Sequence, residues 1–117
     1  VVRGRVSQDE LVNELTQARA LLYRGDIGET FCYAAAEAQA MGVPAVVQDV
    51  SCMAERVIDG ETGFVVDEDD DDAFVAAAIR LLSDDALWLA QHRACLERQR
   101  GLSWAEVAGR FAELMDD

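Results

Sequence analysis

Gly28-Glu29-Thr30-Phe31-Cys32-Tyr33-Ala34-Ala35-Ala36-Glu37-Ala38-Gln39-Ala40-Met41-Gly42-Val43-Pro44-Ala45-Val46-Val47 is the stretch whose reading decides the fold. From Phe31 to Met41 every residue is apolar or small except Glu37 and Gln39, and the run stops at Gly42 with Pro44 beyond, which is how a helix ends. The pattern predicts a helix buried nearly all round, then a short apolar strand of the parallel-sheet type over Pro44 to Val47. Glu29 and Glu37 bracket the helix start. An ionised Glu in such surroundings costs on the order of several kcal/mol unless donors converge on it, so the protein or a polyhydroxylated ligand must supply them.

Working outward, short apolar runs alternate with helical patterns. Val1 to Val6 reads as a strand, and Ser7 with Glu10 forms a capping box opening a helix with Leu11, Val12 and Leu15 on one face. Ala20 to Tyr23 is the next strand, and the loop Arg24 to Glu29 feeds the buried helix. Downstream, Cys52 to Ile58 makes one or two helical turns. Asp59-Gly60 and Thr62-Gly63 then punctuate a turn before the strand Phe64 to Val66, and Asp72 to Leu82 forms an amphipathic helix. Ser103 with Glu106 is a second capping box, so Trp104 to Met115 should close the chain, with Leu87, Trp88, Trp104, Val107, Phe111 and Leu114 in the core. The order is that of an α/β protein, a parallel sheet with flanking crossover helices.

The 117 residues, 51% hydrophobic and 28% charged, suffice for one domain with a core. No apolar run approaches a membrane span and the N-terminus lacks a signal-peptide pattern, so a soluble, cytoplasmic protein is expected. Cys32, Cys52 and Cys95 are an odd number without metal-ligand spacing, which points to reduced thiols and no metal site. The net charge of −13, with every basic residue an Arg, disfavours a nucleic acid or an anionic membrane as partner. Fifteen of the 23 acids lie in residues 59–117, so a phosphate-bearing ligand would favour the first half.

Six consecutive acids, Asp67 to Asp72, read as a solvated helix N-terminus favoured by the macrodipole. Their DxD spacing also resembles the way some glycosyltransferases hold a divalent metal, but no further Gly or distant Glu completes a calcium loop. His92 reads as a surface side chain. Cys32, at a helix N-terminus, has either a lowered pKa or a small-residue packing role. Glu55 and Arg56 form an exposed pair or the rim of a pocket.

A loop feeding a helix at the carboxyl end of a parallel strand is where such sheets bind ligands. The first-turn amides of Thr30, Phe31, Cys32 and Tyr33 lack intrahelical acceptors and, with the dipole, suit a phosphate. Gly25 and Gly28 allow close backbone approach. Glu29 can accept from hydroxyls beside that phosphate and Glu37 from a second diol, a combination that describes a nucleotide sugar. Equally, Glu29 can simply favour the helix N-terminus and Glu37 can pair with Arg5 or Arg24.

The segments together resemble the retaining glycosyltransferases of the GT-B fold, the group 1 family with its E-x7-E motif. Val2-Arg3-Gly4-Arg5-Val6 with Ser7 to Leu11 is similar to the family's VxfxGxVsxxeL, and Glu29-Thr30-Phe31-Cys32 through Glu37-Ala38 to its EGFGxxxxEA. Gly42 to Val47 resembles GxPVV, Ala54 to Val66 resembles xEivxdGxtGxLV, and Ser103-Trp104 resembles a late fSW.

The resemblance implies a partial Rossmann-like domain, residues 1–117 being the latter part of a GT-B C-terminal donor-binding domain. The N-terminal acceptor domain would be absent, and the chain would pack against it in the whole enzyme. It implies a UDP-, GDP- or ADP-sugar as donor, a sugar or lipid acceptor, and no cofactor. Glu29 corresponds to the glutamate near the donor sugar, in the catalytic position, and Glu37 to the one holding the ribose. Gly28 and Thr30, Phe31, Cys32 and Tyr33 correspond to the backbone around sugar and diphosphate, and Val6 lies near the base. The family glycines flanking the motif phenylalanine are Thr30 and Cys32 here, and the pair before Glu55 is Ser51-Cys52. No Lys is present to neutralise a diphosphate, so the chain alone is expected to be inactive. The alternatives are a noncatalytic nucleotide-sugar-binding module and a structural or interaction remnant.

Overall fold

A computed structural model describes residues 2–98 and 103–115. Three strands, β1 (Leu21–Tyr23), β2 (Ala45–Gln48) and β3 (Gly63–Val66), form one parallel sheet in the order β1-β2-β3. Tyr23, Val47 and Val65 stand side by side across it. Each parallel step needs a crossover, and α2 (Tyr33–Ala40) and α3 (Met53–Arg56) supply the two. Helix α1 (Gln8–Gln17) precedes β1, and α4 (Asp71–Ser83), α5 (Asp85–Arg98) and α6 (Trp104–Met115) follow β3.

Alternation along the strands assigns the two faces. Leu21, Tyr23, Ala45, Val47 and Val65 turn toward α2 and α3, where they pack with Ala35, Met53 and Val57. Val46 and Phe64 turn the other way, onto Phe74, Ala78 and Leu81 of α4 and onto Trp88 of α5. All four residues of β2 are buried, as expected of a central parallel strand. Gly63 is required where β3 meets β2: at φ 153° a Cβ would come 2.0 Å from the Ala45 carbonyl oxygen.

Ser7 caps α1 through the expected box, its hydroxyl meeting the Glu10 amide while the Glu10 carboxylate accepts from the Ser7 amide. Ser103 and Glu106 repeat it at α6. Asp70 caps α4 by accepting from the Ala73 amide, and Asp71 pairs with Arg24 at 2.5 Å, which gives two of the six clustered acids structural work. Among the described residues no group of acidic, Cys or His side chains gathers as a metal site, and no helix is long and apolar enough to cross a membrane.

Three expectations need correction. Residues 2–6 form no strand and are exposed, because among the described residues no strand lies beyond the outer edge of β1 to complete a ladder; Val1 lies outside the described residues. Helix α2 begins at Tyr33 rather than Phe31 and is not buried all round. Ala35 and Ala38 are its buried stripe, whereas Tyr33 is 73% exposed, because β1, β2 and α5 cover only part of its surface. Helix α6 forms where it was expected but buries none of its residues: Trp104, Phe111 and Leu114 are exposed and Val107 is half-buried. Leu87 and Trp88 are half-buried, with Trp88 packed against the α4 core and its indole N–H donating to the Arg19 carbonyl.

Candidate functional site

The loop between β1 and α2 leaves the carboxyl end of the sheet and is shaped from within. Gly25 adopts φ 90°, and a Cβ there would come 2.5 Å from Val50 Cγ2. Asp26 then folds the chain back, its carboxylate accepting from the Gly28 amide at 2.7 Å and its carbonyl from the Glu29 amide at 3.0 Å. Residues Gly28 to Ala34 line an open depression of about 320 Å³ at the start of α2. It gathers Gly28, Glu29, Thr30, Phe31, Cys32 and Tyr33 from the sequence-derived site.

Glu29 is half-buried and held at two points. Its Oε2 accepts from the Tyr23 hydroxyl at 2.9 Å, and its backbone carbonyl accepts from the Ser51 hydroxyl. The bond to Glu29 stabilises the neutral phenol and, with lesser contributions from burial and charge, pushes the Tyr23 pKa up to about 12. Cys32 is the residue before α2, buried, with φ 58° in the left-handed region. Burial pushes its thiol above the ordinary range, and the Glu29 carboxylate adds in the same direction. Its thiol is therefore not activated, contrary to one of the two sequence readings, because desolvation of the thiolate outweighs the hydrogen bond from the Ala35 amide.

Glu37 does not line the depression. It is half-buried on the second turn of α2, and its Oε1 accepts from the Gln8 side-chain amide at 2.9 Å. Arg24, one candidate partner for it, instead reaches Asp71 and Gln48. Val6 is exposed in the irregular stretch before α1. His92 is half-buried rather than free on the surface: its Nδ1 lies 2.6 Å from the Gly42 carbonyl oxygen at the end of α2, and its ring stacks on Trp88. That carbonyl can only accept, so the proton sits on Nδ1 and the role is structural.

Tyr23, Ser51 and Gln8 escaped the sequence reading. Tyr23 was legible in principle as the last residue of a strand preceding the loop, and Ser51 as a departure from a family glycine. Gln8 carries no sequence signal. Two of the four substituted glycine positions explain themselves in the backbone, since Cys32 at φ 58° and Ser51 at φ 52° occupy the conformation that favours glycine, whereas Thr30 and Cys52 do not.

Comparison with known proteins agrees with this architecture. The family described as "Glycosyl transferases group 1" matches residues 1–100. A D-inositol 3-phosphate glycosyltransferase of Corynebacterium glutamicum (strain R) is 35% identical over 89 residues, 76% of this chain and 21% of that protein. A glycogen synthase of Mycobacterium tuberculosis (strain ATCC 25618 / H37Rv) is 39% identical over 108 residues, 85% of this chain and 26% of that protein. The sucrose-phosphate synthase structure from Thermosynechococcus elongatus superposes on 99% of this chain and 29% of its own, with a TM-score of 0.81 and 26% identity. The chain thus spans between a fifth and about a quarter of the length of these curated relatives. With a parallel α/β sheet, a shaped loop before α2 and a match running over most of its length, the chain belongs to the group 1 glycosyl transferase family, of GT-B fold.

Proposed function

We propose that this chain is the donor-binding portion of a retaining glycosyltransferase that moves a sugar from a nucleotide sugar to an acceptor hydroxyl. The observation carrying the reading is the depression from Gly28 to Ala34, open at the start of α2 and bordered by a carboxylate that Tyr23 holds in place. The amides of Thr30 to Cys32, which precede α2 and are not first-turn amides as the sequence suggested, together with that of Tyr33 and the helix dipole suit a diphosphate, on which charge grows as the glycosidic bond breaks. In this reading Glu29 accepts hydroxyls of the departing sugar, and Glu37, on α2 outside the depression, those of the ribose. In a retaining transfer the acceptor hydroxyl attacks from the face the leaving group vacates, so diphosphate stabilisation is the main contribution of this half. The relatives' names, which specify an inositol 3-phosphate, glycogen and sucrose phosphate, support sugar transfer to a hydroxylated acceptor as the class. Residues 1–117 form, in this reading, the latter part of a donor-binding domain that works with an acceptor domain.

Calorimetric titration of the folded chain with UDP, GDP and ADP tests the reading. One nucleotide should bind saturably, and Glu37→Gln should weaken it about tenfold or more, the loss of a charge-assisted hydrogen bond to a diol. Equal binding by wild type and Glu37→Gln would remove Glu37 from the site. Binding without transfer after an acceptor domain is supplied would select a noncatalytic binding module.

A further inference from the structure

A second cleft, of about 410 Å³, opens between α2, α3 and α5, on a different face of α2 from Glu37. Ala36 and Ala40 of α2, Ile58 after α3 and Cys95 of α5 give it a small, largely apolar lining, and arginines enter it from two walls, Arg56 from α3 and Arg98 from the end of α5. Arg56 is the informative one. Its guanidinium lies over the Phe31 ring, 4.6 Å from the centroid. Stacking occupies a face of the guanidinium and leaves its N–H groups, which lie in the plane, free to donate. Arg56 Nε is shielded from solvent without an acceptor, and among the described residues the side chain forms no ion pair. A shielded, unsatisfied charged donor beside a cavity is the mark of an absent acceptor, an ion or a ligand.

Arg98 is occupied but releasable. Glu61 accepts from its Nη2 at 2.7 and 2.8 Å, and both side chains are about half exposed. An exposed pair of this kind contributes at most about 1 kcal/mol, so an incoming anion can compete for the arginine. Glu55, exposed on the rim, opposes an anion only weakly through solvent.

We propose that this cleft is a binding site for a small phosphate-bearing molecule, held by Arg56 and Arg98, with the apolar walls taking its carbon body. Stacking on Phe31 pre-organises Arg56 for bidentate contact with the phosphate, and Glu61 restrains affinity by holding Arg98. The cleft shares no lining residue with the depression at the start of α2, although Phe31, which lines that depression, carries Arg56, and the proposal does not depend on the donor reading.

Titration with inorganic phosphate, followed by the Arg56 side-chain Nε–H and the backbone amides in NMR spectra at matched chloride ionic strength, tests it. Arg56 Nε–H and the amides of Ala36, Ala40 and Cys95 should move saturably. Arg56→Met and Arg98→Met should each weaken the response about tenfold or more, and Glu61→Gln, at an exposed position that leaves the core intact, should tighten it. Movement confined to the Thr30 to Tyr33 amides would overturn the proposal by placing phosphate at α2 instead. No movement, or the same movement with chloride alone, would overturn it outright.

Discussion

The Tyr23 hydroxyl donates to Glu29 Oε2 at 2.9 Å, so the last residue of β1 holds the carboxylate six positions later at the mouth of the loop. Sheet and site are thereby joined by one hydrogen bond. The raised Tyr23 pKa has a definite consequence in alkali. With the folded value near 12 and the ordinary value near 10, the folded state keeps a proton that the unfolded chain releases in that window. The stabilisation is full below about pH 10 and is lost as pH rises through about 12. Absorbance titration of phenolate should show a step near 12 that disappears in Tyr23→Phe and moves down in Glu29→Gln.

Cys32 and its left-handed backbone set up a second comparison. A side chain at φ 58° costs on the order of 1–2 kcal/mol, while burying the Cys32 methylene and thiol returns about 1 kcal/mol. Cys32→Gly should therefore leave Tm nearly unchanged. Cys32→Val, one methyl larger and branched at Cβ, should destabilise by about 2 kcal/mol or more. Equal losses in both variants would show that packing, not backbone, governs the position.

The thiols should be inert in the native protein. Cys32 and Cys95 are buried, with burial pushing Cys95 up to about 12, so little thiolate exists at neutral pH. Mass spectrometry after iodoacetamide at pH 7.5 should find both unmodified in the folded protein and both alkylated in denaturant. Rapid native labelling of Cys32 would mean that the loop opens.

Gly63 and Gly60 separate contact from conformation. A Cβ on Gly63 meets the Ala45 backbone at 2.0 Å, whereas one on Gly60, at φ 74°, meets nothing within 4 Å. Gly63→Ala should cost about 3 kcal/mol or more, through strain and a displaced ladder, and Gly60→Ala about 1 kcal/mol. Urea midpoints measure both. A mild Gly63→Ala would contradict the tight β2 and β3 pairing.

Much of the architecture was legible in the residues themselves, because local rules act over a few positions. The apolar run ending in Gly42-Val43-Pro44, the capping boxes at Ser7 and Ser103 and the strands around Leu22, Val46 and Val65 all carry periodicity or cap chemistry that needs no distant partner. The loop from Gly28 to Tyr33 was legible for the same reason, by its place between a strand and a helix. What only the tertiary structure decided was which apolar faces find a neighbour and which polar groups meet. Val2 to Val6 has strand-like composition, but a strand needs a ladder, and no described residue completes one beyond β1. Trp104, Phe111 and Leu114 form a proper apolar stripe, yet burial depends on a surface to cover it, and none of α6 is buried. The bonds from Tyr23 to Glu29 and from Gln8 to Glu37, and the stacking of Arg56 on Phe31, join separate stretches of the chain. Periodicity reports which way a side chain points; only the packed chain reports what stands opposite it.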